Sequence, residues 1–304
     1  MNKVNIEDRM ALSIVIVSYN TSRLLADCLK SLIPATKSLS FEVYVVDNNS
    51  QDNTCQMIKK EFPWVKLIES GENLGYSKAN NLALKKAKGK YILILNPDTK
   101  VQANSITKAV SFLESHQGAG IVTCRVELPN GNLDPDCRRS FPTPWRSFCH
   151  FSRLSKLFPK TKLFDSYYMA HLSDKVDHEV DSCMGAFMLT KSEALKKIGL
   201  FDEEFFFYGE DLDLCWRAKE QGYKIYYTPK AKIIHYKGVA SGMKSVSKHL
   251  TTATKESKKR AVAESTRAMR LFYKKHYQNK YPFLITWCMY LGIFIIEKYR
   301  LSKV

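Results

Sequence analysis

Residues 13–50 read SIVIVSYNTSRLLADCLKSLIPATKSLSFEVYVVDNNS, and the period of their apolar residues decides the fold. Ser13–Ser18 is a continuous β-branched run. Tyr19-Asn20-Thr21-Ser22 then supplies a turn and a helix cap, after which Leu24, Leu25, Cys28, Leu29 and Leu32 recur at helical spacing. A second apolar run, Phe41–Val46, ends in Asp47-Asn48-Asn49-Ser50. The pattern continues outward. A helix passes through Met57 and Ile58, a strand begins at Val65, and Asn73-Leu74-Gly75-Tyr76 leads into a helix with Ala79, Leu82, Ala83 and Ala87 on one face, stopped by Gly89. Tyr91–Leu95 is again fully apolar and is broken by Asn96-Pro97-Asp98. Strands apolar on both faces, alternating with helices, predict an α/β fold: a Rossmann-like, mostly parallel sheet flanked by helices. Ligands of such sheets bind beyond the carboxyl ends of the strands, where Asn20, Asp47 and Asp98 all fall.

From Gly131 to Asp181 the periodicity weakens, and prolines, aromatics and basic residues mix in what reads as a long loop or short-helix excursion over the site. Regular structure returns with Ala186–Thr190, a helix through Ile198, the aromatic run Phe205–Tyr208, and a helix opened by Gly209-Glu210-Asp211-Leu212-Asp213. Carboxylates at a helix start also suit its dipole. Two further strands, Lys224–Tyr227 and Lys232–His235, flank Pro229.

The chain has 304 residues, 45% hydrophobic and 25% charged, which excludes a disulfide miniprotein and a polytopic membrane protein. Its eight cysteines (Cys28, Cys55, Cys124, Cys137, Cys149, Cys183, Cys215, Cys288) contain no C-x-x-C, so neither zinc nor redox-motif spacing is present and buried thiols in a reducing cytoplasm are expected. The first apolar run follows two acids and is too short for a signal peptide. Pro282–Ile296 is nearly free of polar groups but falls short of the ~20 residues that span a bilayer, which leaves an interfacial, re-entrant or buried helix.

Three carboxylate positions follow an apolar strand or a tight turn. Asp47 could receive a base ring N–H or ribose hydroxyls, or simply cap the next helix. Asp98 offers a hard oxygen ligand suited to Mg²⁺ or Mn²⁺ on a diphosphate, although Asn-Pro-Asp alone also describes an ordinary β-turn. Glu210-Asp211 emerges from an aromatic, water-poor wall, the environment that makes a general base usable near neutral pH. His235 ends a strand 24 residues beyond Asp211, and a neutral imidazole there could join Asp98 on a metal.

The stretches SIVIVSYN, VVDNNSQDNT, NLGYSKANNLALKKAKGKYILILNPDT, GAFMLTKSEALKKIGLFDEEFFFYGEDLDLCWRAKEQGYKIYYTP and KIIHYKG together resemble, in order and spacing, the family-2 inverting glycosyltransferases of GT-A fold, in particular the rhamnosyltransferase-like branch. The resemblance covers residues 12–240. It implies a catalytic domain over 1–240 and a basic, apolar helical extension over 241–304. It also implies a nucleotide-diphosphate sugar held by Ser18, Tyr19, Asn20, Asp47, Asn80, Asn96 and Asp98. A Mg²⁺ or Mn²⁺ ion on Asp98 and His235 and a catalytic pair, Glu210 and Asp211, with Asp211 as the base, complete the implied site. Arg217 could face phosphate or stay on its helix surface. The family's Asp-x-Asp metal motif here begins with Asn96, which removes one negative charge. A non-catalytic saccharide- or membrane-binding protein on the same scaffold is the alternative. A nucleotidyltransferase would carry a glycine- and lysine-rich loop after the first strand, where this chain has Tyr19-Asn20-Thr21-Ser22-Arg23.

Net charge is +17, and +10 of it lies between Lys237 and Lys280, where twelve Lys/Arg face two Glu. A nucleic-acid partner is not expected, because Ser241–Arg270 offers no stacking aromatic. A polybasic stretch beside an apolar helix instead suits an anionic membrane surface carrying a lipid-linked or nascent glycan acceptor, with Arg138–Lys162 as a second contact. The location this implies is cytoplasmic, peripheral to the inner face of the membrane.

Overall fold

The computed structural model describes residues 10–37, 39–237 and 254–304. Part of the basic run singled out in the sequence, residues 238–253, lies outside them. The described elements are β1 (Leu12–Ser18), α1 (Ser22–Thr36), β2 (Phe41–Asp47), α2 (Thr54–Glu61), β3 (Lys66–Glu69), α3 (Gly75–Leu84), β4 (Tyr91–Leu95), β5 (Thr99–Val101), α4 (Ser105–Ser115) and β6 (Ala119–Glu127). They continue with α5 (Pro144–Phe151), α6 (Leu154–Leu157), β7 (His178–Val180), β8 (Phe187–Lys191), α7 (Ser192–Ile198), α8 (Glu210–Glu220), β9 (Lys224–His235), α9 (Lys255–His276) and α10 (Phe283–Leu301).

The sheet runs β3-β2-β1-β4-β8-β6-β9-β5, with β7 also on β9. Every residue of β1 and β4 is buried, as expected of strands covered on both faces. Each fully buried Ile, Leu or Val there contributes roughly 1.5–3 kcal/mol relative to exposure. From β3 to β4 all pairings are parallel, but β8 enters antiparallel between β4 and β6, so the sheet is mixed. The reason is the excursion over residues 131–181: it leaves the chain at the carboxyl edge, and β8 starts there, with Phe187 opposite Leu95.

The two strands expected around Pro229 are one, β9. Its ladder with β6 jumps from Cys124↔Thr228 to Arg125↔Lys232, so Pro229, Lys230 and Ala231 sit in a bulge where the missing proline N–H breaks no ladder bond. Beyond the bulge β9 pairs antiparallel with β5 and sets His235 opposite Thr99.

Helix α9 is seated on α8. Phe205, Ala268, Phe272, Tyr273 and Tyr277 form a satellite core, and the Trp216 ring stands 4.8 Å from the His276 ring. Buried Asp213 clamps the junction, its Oδ1 2.8 Å from His276 Nε2 and its Oδ2 accepting from Arg217 Nε at 2.8 Å. Arg217 also donates to the carbonyls of Ile198 and Leu200. It therefore neither faces phosphate nor lies idle on the helix surface; it holds the turn before the aromatic wall. The apolar segment is α10, and among the described residues no helix is long and apolar enough to cross a membrane.

Removing Asp213 would leave Arg217 and His276 without their carboxylate. Asp213→Ala should destabilise the chain by about 3 kcal/mol, read as a lower denaturation midpoint; an unchanged midpoint would show that the clamp is dispensable.

Candidate active site

Strands β2, β1 and β4 end side by side, Ser18 opposite Asp47 and Ile16 opposite Leu95, and three groups of side chains gather on this carboxyl edge. The first surrounds Asp47. Its Oδ2 accepts from Ser50 N at 3.0 Å and closes the turn, while its Oδ1 is buried without a partner. The turn-capping use thus occupies one oxygen and leaves the other without a partner. Asn20, at φ +53°, donates its N–H to Ser50 Oγ at 2.9 Å and accepts from Gln51 N at 2.7 Å, so it ties the loops after β1 and β2 together. Ser18 is buried, its Oγ 3.0 Å from Thr21 Oγ1, whereas Tyr19 is exposed at the edge. Asn80, fully buried on α3, donates to the Tyr76 carbonyl and leaves its own Oδ1 unpartnered.

The second group is Asn96, Asp98 and His235. The β5–β9 pairing brings His235 Nε2 to 3.1 Å from Asp98 Oδ1 across 137 residues of sequence. His235 Nδ1 faces Asp134 Oδ2 at 3.7 Å, and Asp134 in turn pairs with Lys237 at 2.7 Å. Burial by itself would lower the His235 pKa, but the charges and hydrogen bonds of Asp98 and Asp134 outweigh it and hold the imidazole up at about 9. Burial would likewise raise Asp134, yet His235 and Lys237 keep it well below the usual carboxylate range. Asn96 Oδ1 accepts from Tyr76 O–H at 3.0 Å.

This donor set can be tested against a divalent ion. Among the described residues no cluster of three or more His, Cys, Asp or Glu is placed to hold one. Asp98 and His235 nonetheless converge, and a hard ion that takes one carboxylate from the protein and further oxygens from a diphosphate and water fits them, whereas a closed all-protein cage does not. A cation bound through Nε2 would displace the imidazole proton.

The third group is Glu210, Asp211 and Arg139. Gly209, at φ +83°, turns the chain from the aromatic wall into α8 and sets both acids in its first turn. Asp211 Oδ2 accepts from Arg139 Nη2 at 2.8 Å and its Oδ1 from Leu212 N at 2.7 Å. Glu210 has no such cation: its Oε2 is buried and unpartnered, and burial, followed by the Asp211 charge, pushes its pKa up to about 8. The water-poor wall therefore raises Glu210, and its neighbour keeps a paired carboxylate. Two adjacent acids thus have unlike surroundings, Glu210 buried without a cation and largely neutral at pH 7, Asp211 facing a guanidinium.

Tyr76 links the groups. Besides Asn96 its hydroxyl donates toward the Gly185 carbonyl, and its pKa is raised well above 10 by burial and by the charges of Glu210, Asp211 and Asp98. Its backbone N–H donates to Phe206 O at 2.7 Å, fixing α3 to the aromatic wall. A Cβ at Gly75 would stand 2.5 Å from that same carbonyl, so only glycine allows the approach. Tyr76, Arg139 and Asp134 are the residues that sequence reasoning passed over. The signals were Tyr76 inside the Asn-Leu-Gly-Tyr loop and two consecutive arginines, Arg138 and Arg139, that both turn out buried. A cleft of about 290 Å³ beside Glu72, Lys78, Glu203 and Arg267 shares no lining residue with the three groups.

The sequence profile of Glycosyl transferase family 2 matches residues 13–198. The chain belongs to glycosyl transferase family 2. It is 28% identical over 242 residues to an N-acetylglucosaminyl-diphospho-decaprenol L-rhamnosyltransferase of Mycobacterium tuberculosis, covering 76% of this chain and 78% of that one. It is also 28% identical over 201 residues to the rhamnosyltransferase WbbL of Escherichia coli K12, covering 63% of this chain and 72% of the relative. Among solved structures, the mannosyltransferase PcManGT of Pyrobaculum calidifontis, in complex with GDP-Man and Mn²⁺, superposes with a TM-score of 0.53 at 18% identity, over 97% of this chain and 87% of the other. At that identity the likeness is one of fold, and it agrees with the GT-A architecture the sequence predicts. This glycosyltransferase thus carries its polar edge where the fold's sheet ends.

The Glu210 pKa has a measurable consequence. Its folded value exceeds its ordinary one of 4.5, so the stabilisation it gives is complete below about 4.5 and is lost as pH rises through about 8. Melting temperature in the wild type should fall between pH 5 and 9 relative to Glu210→Gln, whose side chain does not titrate; parallel curves would contradict the assignment.

Proposed function

We propose that this family-2 glycosyltransferase transfers a sugar with inversion from a nucleotide-diphosphate donor, rhamnose from dTDP-rhamnose being the candidate, to a lipid-linked or nascent cell-surface glycan. The observation that carries the reading is that Tyr76 ties the Asn96–Asp98 turn to the aromatic wall leading into Asp211, its hydroxyl on Asn96 and its N–H on the Phe206 carbonyl. The names of the two rhamnosyltransferase relatives, one acting on a decaprenol-linked substrate, support the sugar and the acceptor class.

In this reading the base and ribose lie over Ser18, Tyr19, Asn20 and Asp47, where the unpartnered Asp47 Oδ1 accepts a ring N–H or a ribose hydroxyl. Asn80 and Asn96 border the sugar and diphosphate. Asp98 and His235 would hold Mg²⁺ or Mn²⁺, which when bound neutralises charge on the departing diphosphate. Asp211 accepts the proton of the attacking acceptor hydroxyl on the face opposite the leaving group. Arg139 aims that carboxylate, and neutral Glu210 spares it a second negative neighbour. Residues 1–240 form the catalytic domain and 241–304 the extension, and an acceptor on a lipid carrier would put the enzyme at the anionic cytoplasmic face of the membrane.

The test is donor hydrolysis across a panel of nucleotide sugars with Mg²⁺ or Mn²⁺. One donor should be turned over, and Asp211→Asn should cut its turnover by roughly 10²–10⁴ while donor affinity stays within a few-fold. Full activity in Asp211→Asn, or no donor bound at all, would overturn the proposal and favour a non-catalytic binding protein.

A further inference from the structure

Helix α10 has two unlike faces. Toward α9 it presents Met289 and Tyr290 to the satellite core, Thr286 to the Tyr273 hydroxyl, Glu297 to Arg270 and Arg300 to Ser265, and Ile293 is buried. The other face carries Phe283, Leu284, Trp287, Leu291, Phe294 and Ile295 at helical spacing, without a carboxylate. All six are exposed, Phe283 to 82% and Trp287 to 52%, and among the described residues nothing covers them. A contiguous stripe of this size on a folded surface marks a contact.

A second apolar patch lies on the excursion. Trp145, Phe148 and Phe151 of α5, with Leu157, Phe158 and Leu163 beyond them, are exposed, and Arg153, Lys156, Lys160 and Lys162 are interleaved with them. No Asp or Glu occurs from residue 137 to 164. Phe141, just ahead of α5, packs into the satellite core that Met289 and Tyr290 of α10 also enter, its ring 4.8 Å from that of Trp216. Arg139, on the same stretch of chain, pairs with Asp211, so both patches adjoin the segment that reaches Asp211.

The occupant is set by charge and length. Residues 254–304 hold twelve Lys/Arg against three Glu, so two copies meeting through this region would repel, whereas an anionic leaflet attracts it. With Glu297, Lys298 and Arg300 in its last turns, α10 is not long and apolar enough to cross a bilayer. Large aromatics beside lysines and arginines are the composition that settles in the headgroup layer, lying flat.

We propose that the outer stripe of α10 and the Trp145–Leu163 patch form one lipid-entry face that lays the mouth of the Asp211 site against an anionic bilayer. The purpose of the face rests on the lipid-linked acceptor proposed above; its binding does not. The experiment is flotation of the full chain with vesicles of phosphatidylcholine, with and without phosphatidylglycerol, alongside quenching of tryptophan emission by brominated lipid. Wild type should bind the anionic vesicles at least about tenfold more tightly than the neutral ones, with quenching that Trp287→Phe and Trp145→Phe each reduce. Phe294→Glu and Phe148→Glu should each weaken binding about tenfold while lipid-free donor hydrolysis is unchanged, which reports an intact fold. Unaltered vesicle binding in both variants overturns the proposal, as does a wild-type oligomer that Phe294→Glu dissociates without any vesicle affinity. Vesicle binding by a wild type that hydrolyses no donor would sustain the lipid-entry face and count against the glycosyltransfer reading alone.

Discussion

The antiparallel pairing of β9 with β5, which sets His235 opposite Thr99, is the constraint on which the rest of the site depends. Side chains alternate along a strand, so a slip of one residue would turn His235 away from Asp98 and put Ile234 in its place. The register is fixed from two directions. On one side the β6 ladder resumes at Arg125↔Lys232 after the Pro229 bulge; on the other, Asp134 and Lys237 grip the end of β9. A buried set of charges of this kind is costly to desolvate and tolerable only when each member is paired. Here Asp98, His235, Asp134 and Lys237 alternate in sign along one line.

Glu210 and Asp211, the acids proposed to act in catalysis, depend on a different set of contacts. Helix α8 is positioned by the Gly209 turn in front and by the Asp213 clamp to α9 behind, so the C-terminal extension takes part in placing Asp211. Arg139 arrives from the excursion, which makes that long segment a structural part of the site and not merely a cover over it. The same excursion supplies one of the two apolar patches. The surroundings of Asp211 and the exposed hydrophobic surface are thus built from the same pieces of chain.

The fold was largely legible because its signals are local. Apolar runs at 13–18, 41–46 and 91–95 name the central strands, and Asp47 and Asp98 follow them directly. What could not be read locally was created by distant contacts. The direction of β8 depends on where the excursion leaves the chain, and the continuity of β9 on a bulge that absorbs Pro229. Tyr76 matters because of Asn96 and Gly185, Arg139 because of Asp211, and Arg217 turned inward because two carbonyls, of Ile198 and Leu200, await it. The aromatic wall was visible in the sequence, but that one of the two adjacent acids would face a cation was decided by Arg139, 72 residues from Asp211.

The central claim is that strand register unites Asp98 and His235 into one metal-and-diphosphate site. Calorimetric titration of dTDP into the full chain, with Mn²⁺ and with chelator, tests it most directly. Affinity should require Mn²⁺ in the wild type and fall by at least about tenfold in Asp98→Ala and in His235→Ala, with both variants retaining the wild-type circular dichroism. Binding of dTDP that ignores Mn²⁺, or that either variant leaves intact, would contradict it.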